Sequence, residues 1–235
     1  MSIRDDLKNT KGDYIHATVK AAIGNVPVVG GILSEAFGLV VTAPADKRKE
    51  NIIIMLDERL REIEIKVDQF HLADLATNDQ FLSTVLQVIQ IAMRTHQTEK
   101  RVALINAVTN TAVLISIEEN LQQMFINFID SFNEWHLKLL HFLNDPKQQL
   151  IDNGLSTDFY TGAVRHVITS RFPELNGRDE FTNQIVNDLN SRGLINTNSS
   201  SLNGMMTGSG MIASRTTEMG KQFLLFITTP SFLGE

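Results

Sequence analysis

"PADKRKENIIIMLDERLREIEIKV", Pro44 to Val67, is the stretch from which the fold follows. Pro44 and Asp46 suit a helix start, where the missing proline N–H is no loss and a carboxylate meets the positive end of the dipole. Ile53, Leu56, Leu60, Ile63 and Val67 then recur at three- and four-residue spacing, with acids and bases between them. That period predicts an amphipathic helix with one apolar stripe turned inward. Its carboxylates alternate with bases, the pattern of a solvated face with intrahelical pairs rather than of an acid–base site.

The same grammar continues downstream. In "ATNDQFLSTVLQVIQIAMRT", Asn78 or Asp79 is the expected cap, and Phe81, Leu82, Val85, Leu86 and Ile89 the inward face. "HQTEKRVALINAVTNTAVL" places Val102, Ile105, Val108, Thr109 and Ala112 at helical spacing. "SIEENLQQMFINFIDSFNEWHLKLLHFLND" reads as one long helix, with Ser116 and Glu119 as a capping box and Asp145-Pro146 as its stop. Upstream, Ser2 to Ile23 and Ile32 to Val41 are predicted as a helix and a short apolar helix, parted by Pro27, Gly30 and Gly31. Residues 1–154 therefore read as a helical bundle.

From 155 to 235 the character changes. "STDFYTGAVRHVITSRFPEL" and "NGRDEFTNQIVNDLNSRGLI" predict two helices about a turn, the second ended by Gly193. Leu194-Ile195 and Met211 to Arg215 are expected as strands around a flexible Ser/Asn/Gly-rich loop. Thr216 or Thr217 then caps a last helix ending near Ile227. Helix, turn, helix, hairpin, helix is the order of a winged helix, and "SRGLI…RTTEMGKQFLLFI" resembles the wing-and-closing-helix signature of that group. The fold class expected is mainly α, a helical bundle followed by a small winged-helix-like α/β module.

A winged helix commonly binds DNA through its second helix and wing. Here the candidate contacts are Arg178, Asn183, Gln184, Asn187, Arg192 and Arg215. From Leu155 onward, however, six basic residues stand against seven acidic ones, and the whole chain carries a net charge of -6. Phosphate neutralisation supplies most non-specific affinity, so this balance disfavours nucleic acid.

Catalytic and metal motifs are not legible. The 235 residues contain no cysteine, which excludes disulfides, thiolate zinc sites and a cysteine nucleophile. Of six histidines, His136 and His141 are five apart, off the four-residue spacing that would align two ligands on one helical face. "GNVPVVGG" lacks the Gly-Lys-Ser/Thr of a phosphate-binding loop. The reading is a non-enzyme with no cofactor and no metal.

One stretch remains. "AAIGNVPVVGGILSEAFGLVV", Ala21 to Val41, carries one charge, Glu35, and is broken by Pro27 and four glycines. A glutamate at mid-membrane costs about 2.5–3.5 kcal/mol by insertion scales, and the break disfavours a single span. One reading keeps the segment, within 21–43, as plain bundle core, its glycines letting backbones approach closely; the other, on which the functional expectation rests, has it buried at rest and engaging a membrane or protein partner on release. Its candidate residues are Ile23, Pro27, Val28, Val29, Gly30, Gly31, Ile32, Leu33, Glu35, Phe37 and Leu39.

"NVPVVGGILSEAFG", "EKRVALINAVTNTAV" and "FNEWHLKLLHFLNDP" together resemble bacterial helical proteins of the abortive-infection alpha type. The positions that carry the likeness are Pro27, Gly30 and Gly31, then Glu99, Lys100 and Arg101, then Leu139, Leu140, Asp145 and Pro146. The resemblance implies a cytoplasmic bacterial protein linked to phage defence by cell shutdown, with no catalytic residues. A protein partner or homo-oligomer, and conditional contact at the inner face of the membrane, are the partners expected. The mixed acids and bases before the first apolar run do not read as a secretory signal.

Overall fold

The structure is a computed structural model that describes residues 43–68, 70–113, 117–230 and 233. The predicted helices before Ala43, the whole candidate membrane or partner segment and the Ser116 capping position lie outside the described residues. The chain is mainly helical, with one small two-stranded antiparallel sheet. It divides into two compact units. The first takes the described residues through Asp130 together with those from Phe226 onward; the second is Ser131–Leu225. The expected boundary at 154/155 thus falls inside the second unit.

In the first unit, helix α1 (Ala43–Lys66) packs on α3 (Asp79–Arg94) and α4 (Thr98–Ala112), which also pack on each other; α2 (Leu72–Leu75) is a short turn between α1 and α3. α1 buries Ile52, Ile53, Leu56, Leu60 and Ile63, as its period requires. Pairs one turn apart, Asp57 with Arg61 at 2.8 Å and Glu62 with Lys66 at 3.2 Å, line its outer face. α3 is capped by Asn78, whose side-chain oxygen accepts the Phe81 N–H at 2.9 Å. Its inward face is Phe81, Val85 and Ile89, but Leu82 is only half-buried and Leu86 is exposed.

α4 departs further from expectation. It is enclosed on nearly all sides from Ala103 to Ala112, while Val102, expected inside, is exposed. The small side chains of "ALINAVTNTA" let neighbouring helices approach on every face. Its buried hydroxyls turn back on their own helix: Thr109 donates to the Ile105 carbonyl and Thr111 to that of Ala107. α5 (Glu119–Ser131) contributes Phe125, which packs 5.8 Å from Phe226 of the returning C-terminal strap.

The long helix predicted over "SIEENLQQ…HFLND" is two helices. Asn133 interrupts it and caps α6 (Glu134–Asn144): its Oδ1 accepts the N–H of Trp135 and of His136, and His136 Nδ1 accepts the Asn133 N–H. A side chain that bonds the backbone so readily competes with helix continuation. Asp145 ends α6 and caps α7 (Pro146–Asp152), with Pro146 at the first helical position.

The second unit then runs β1 (Thr161–Gly162), α8 (Val164–Arg171), a 3-10 turn at Pro173–Leu175, α9 (Asp179–Ser191), a 3-10 turn at Ser199–Asn203, β2 (Met206–Thr207), α10 (Gly208–Met211) and α11 (Glu218–Ile227), whose last two residues belong to the first unit. α6 packs on α9. Gly193, at φ +70°, ends α9 in the left-handed conformation that favours glycine. Thr217 caps α11 through the Gly220 N–H at 3.0 Å.

The predicted hairpin is reduced to a single bridge, Ile195↔Thr216. Met211 belongs to α10, and the sheet pairs Thr161 with Thr207 and Gly162 with Met206, so its first strand precedes the helix pair. Nor is the Ser/Asn/Gly-rich run a bare loop. Asn198 caps its 3-10 turn and Leu202 is fully buried beneath it. A polar run with a capping Asn and one well-placed leucine orders itself around them.

Candidate functional site

The six residues proposed for DNA are each engaged within the second unit. Arg178 lies over the Phe181 ring at 4.2 Å and Arg192 over Phe132 at 5.0 Å. Asn183 accepts from Arg165, which also donates to Asn203 at 2.7 Å and Asp179 at 3.0 Å. Gln184 donates to Asp188, and Asn187 accepts the Ser199 N–H. Arg215 is 8% exposed and donates to the carbonyls of Gly210 (2.6 Å) and Ala213 (2.5 Å). Burial pulls its pKa down, and those carbonyls hold the cation in place. This guanidinium organises the segment expected to be a wing; its hydrogen-bond donors point at protein.

His136 is the best candidate for acid–base work and is also committed. It is 5% exposed and stacks on Phe132, with ring centroids 4.5 Å apart and planes within 7°. Nδ1 accepts the Asn133 N–H at 3.2 Å, which leaves the proton of the neutral ring on Nε2, 3.3 Å from Asp188 Oδ2. Burial outweighs the Asp188 hydrogen bond and charge, and holds the imidazole below its ordinary pKa. With both nitrogens occupied, the ring ties α6 to α9. His141, by contrast, is exposed. Among the described residues no group of histidines and carboxylates is placed to hold a metal ion.

Lys100, in the Glu-Lys-Arg motif, is nearly buried, and its Nζ donates to the Asp130 carbonyl at 2.9 Å. Asp130 ends the first unit's part of α5, so the cation meets the negative end of that helix. Burial lowers the lysine's pKa more than the nearby Asp130 carboxylate raises it. The exposed Asp130 carboxylate pairs with Arg94 at 3.0 Å.

Two features escaped the sequence reading. The first is a clasp. Asn106 donates to the Ile227 carbonyl at 2.9 Å, and Asn110 to those of Phe226 (2.7 Å) and Thr228 (2.9 Å). These are the orphan carbonyls of a helix end, satisfied here by two side chains one turn apart on α4. The spacing of two asparagines inside an apolar run was the available signal.

The second is a cleft of about 270 Å³ between α1 and α4. Ile105, 6% exposed, forms its floor, and Met55 (40%) and Val102 (46%) project from either side. Glu58, Arg59 and Glu62 line the α1 side, and Asn106 closes the α4 side. Arg59 pairs with Glu62 at 2.9 Å. Lys66, and then Arg59, hold the Glu62 carboxyl below the usual range. Arg59, Glu62 and Lys66 pair among themselves, while the exposed Glu58 adds an acid to the lining beside the apolar floor.

Among the described residues no helix is long and apolar enough to cross a membrane. Comparison with family models, with curated proteins and with solved structures returned no match. The residues themselves are therefore the only guide to function.

Proposed function

We propose that this chain is a non-enzymatic interaction protein whose acting element is the apolar segment Ala21–Val41, engaging a membrane or a protein partner in a bacterial stress or phage-defence response in the cytoplasm. One observation carries the reading: 21 consecutive residues with a single charge, Glu35, interrupted by Pro27 and four glycines. Such a stretch is too apolar to stay in water and too broken to be one rigid span, which suits a conditional contact. Residues 155–235, of winged-helix-like order in sequence, serve as a docking or sensing module. The internal engagement of Arg178, Arg192 and Arg215 argues for that role over binding an operator.

Expression of the full chain and of a variant carrying Val28→Asn, Val29→Asn and Leu33→Asn tests the proposal. The expected outcome is arrested growth and partial membrane recovery for the full chain, both lost in the variant. Equal growth and equal fractionation of the two would overturn it. Salt-dependent retention of the full chain on DNA, lost in Arg192→Ala, would favour the operator reading instead.

A further inference from the structure

We propose that Asn176-Gly177 is a self-modification site, at which the exposed Asn176 carboxamide closes on the Gly177 main-chain nitrogen and is converted, with loss of ammonia, to aspartate and isoaspartate. The site is independent of the reading of Ala21–Val41 as the acting element.

The chain contains three Asn-Gly pairs, Asn153-Gly154, Asn176-Gly177 and Asn203-Gly204. Glycine after asparagine leaves the main-chain nitrogen free to attack, because no Cβ stands in the way. All six residues are exposed, so access to water does not separate the pairs. Hydrogen bonding does. The Gly154 N–H donates to the Ile151 carbonyl at 2.9 Å, and Asn153 Nδ2 to that of Gln149 at 2.7 Å. The Gly204 N–H donates to the Ser201 carbonyl at 3.2 Å, and Asn203 Oδ1 accepts from Arg165 Nε at 2.7 Å. In both pairs the attacking nitrogen and the carboxamide are each engaged. Among the described residues, the Asn176 side chain and the Gly177 N–H have no such partner.

The local fold explains the difference. Asn176 has φ -64° and ψ 129°, and Gly177 has φ +73°, the dihedrals of a type II turn with glycine at its third position. The Arg178 N–H closes that turn on the Leu175 carbonyl at 3.1 Å, and the Gly177 N–H takes no part in the closure. Leu175, 1% exposed, fixes one side of the turn, and α9 begins at Asp179 on the other. The pair is thus presented on the surface between two anchored points, and a single backbone hydrogen bond is all that must give for the ring to form.

Hydroxide takes the Gly177 amide proton, and the nitrogen bonds to Asn176 Cγ. The Cγ–Nδ2 bond then breaks, and ammonia leaves with a proton from water, which restores the hydroxide. Water next opens the cyclic imide. Cleavage between the nitrogen and Cγ gives aspartate; cleavage between the nitrogen and the Asn176 main-chain carbonyl gives isoaspartate, with the chain rerouted through the side-chain carbon. Water is consumed and ammonia released, with no oxidant or reductant. Either product adds a negative charge just ahead of α9. Isoaspartate also lengthens the main chain inside the turn, which pulls the Arg178 N–H out of line with the Leu175 carbonyl.

The test is to hold the folded full chain at mildly alkaline pH, sample it over time and digest it with trypsin. The three pairs then lie on separate peptides, 148–165, 172–178 and 193–215, and fragment-ion sequencing locates each amide-to-acid change. Acid products at Asn176 should accumulate about tenfold faster than at Asn153 or Asn203, where a hydrogen bond must first open. In urea the three rates should converge. Equal rates in the folded chain, a lead at Asn153 or Asn203, or a lead at Asn176 undiminished in urea would each overturn the proposal. Anion exchange of the intact chain gives an independent measurement. The acidic form that grows on incubation should be lost in Asn176→Gln, whose longer side chain closes a ring far more slowly, and kept in Asn153→Gln. An acidic form that grows undiminished in Asn176→Gln overturns the proposal.

Discussion

In the first unit the central helix, α4, is surrounded by side chains: Leu104, Ala107 and Val108 have no exposed surface. In the second, the closing helix begins against bare backbone. A Cβ on Gly220 would stand 2.0 Å from the Leu194 carbonyl oxygen, and that same carbonyl accepts the Thr217 N–H at 3.0 Å. Both units bury an apolar core, and the second adds close backbone approach and polar anchors such as Arg215, Arg165 and His136. Volume tolerates repacking, whereas backbone contact does not. The difference separates positions where shape is general from positions where one residue type alone fits.

The sharpest way to break this contrast is Gly220→Ala. It should destabilise by about 4 kcal/mol, read by urea unfolding, because neither the Leu194 carbonyl nor the helix start has room to yield. A loss below ~1 kcal/mol would show that the second unit repacks as freely as the first. Leu104→Ala should follow at about 3 kcal/mol, the cost of an aliphatic cavity in a core that cannot collapse fully. Asn133→Ala should cost about 1 kcal/mol by removing the cap of α6.

A pH series sharpens the polar side of the comparison. The folded-state pKa of His136 lies below its unfolded value, so the unfolded chain binds the extra proton first as pH falls. The stability conferred by the neutral buried ring is complete above about pH 6.5 and declines as pH drops below it. Protonation also turns Nδ1 into a donor facing the Asn133 N–H, although Asn133 Oδ1 at 3.1 Å and Asp188 offer partial compensation. Melting temperatures from pH 7.5 to 5.5 should fall in the wild type and flatten in His136→Gln. The smallest effect expected is that of Arg94→Ala, under ~0.5 kcal/mol by thermal melts, since the exposed pair with Asp130 is screened by water.

Much of the helical framework could be read directly, because long periodic stripes survive any tertiary context. Ile53, Leu56, Leu60 and Ile63 lie inward as their spacing demands, and Asn78, Thr217 and Gly193 punctuate the helices where their chemistry places them. Failures occurred where a local hydrogen bond or a neighbouring helix decided the outcome. Asn133 divides one apparent helix into two, and crowding around α4 turns Val102 outward while enclosing Asn106 and Asn110. Site legibility was poorer still. The asparagine clasp and the α1–α4 cleft join residues far apart in the chain, and no window of sequence contains both partners. The arginines chosen for phosphate were plausible by residue type alone, whereas what they touch is decided by the fold.

The clasp has a bearing on how the molecule is born. Asn106 and Asn110 find their acceptors only at Phe226, Ile227 and Thr228, so the first unit is sewn from two separated lengths of chain with the whole of the second between them. During synthesis the earlier-made helices must wait, one seam still open, while some ninety-five further residues emerge. The clasp therefore closes only after the inserted unit has been made, and a ribosome halted before Phe226 would release a chain in which Asn106 and Asn110 had never met these acceptors.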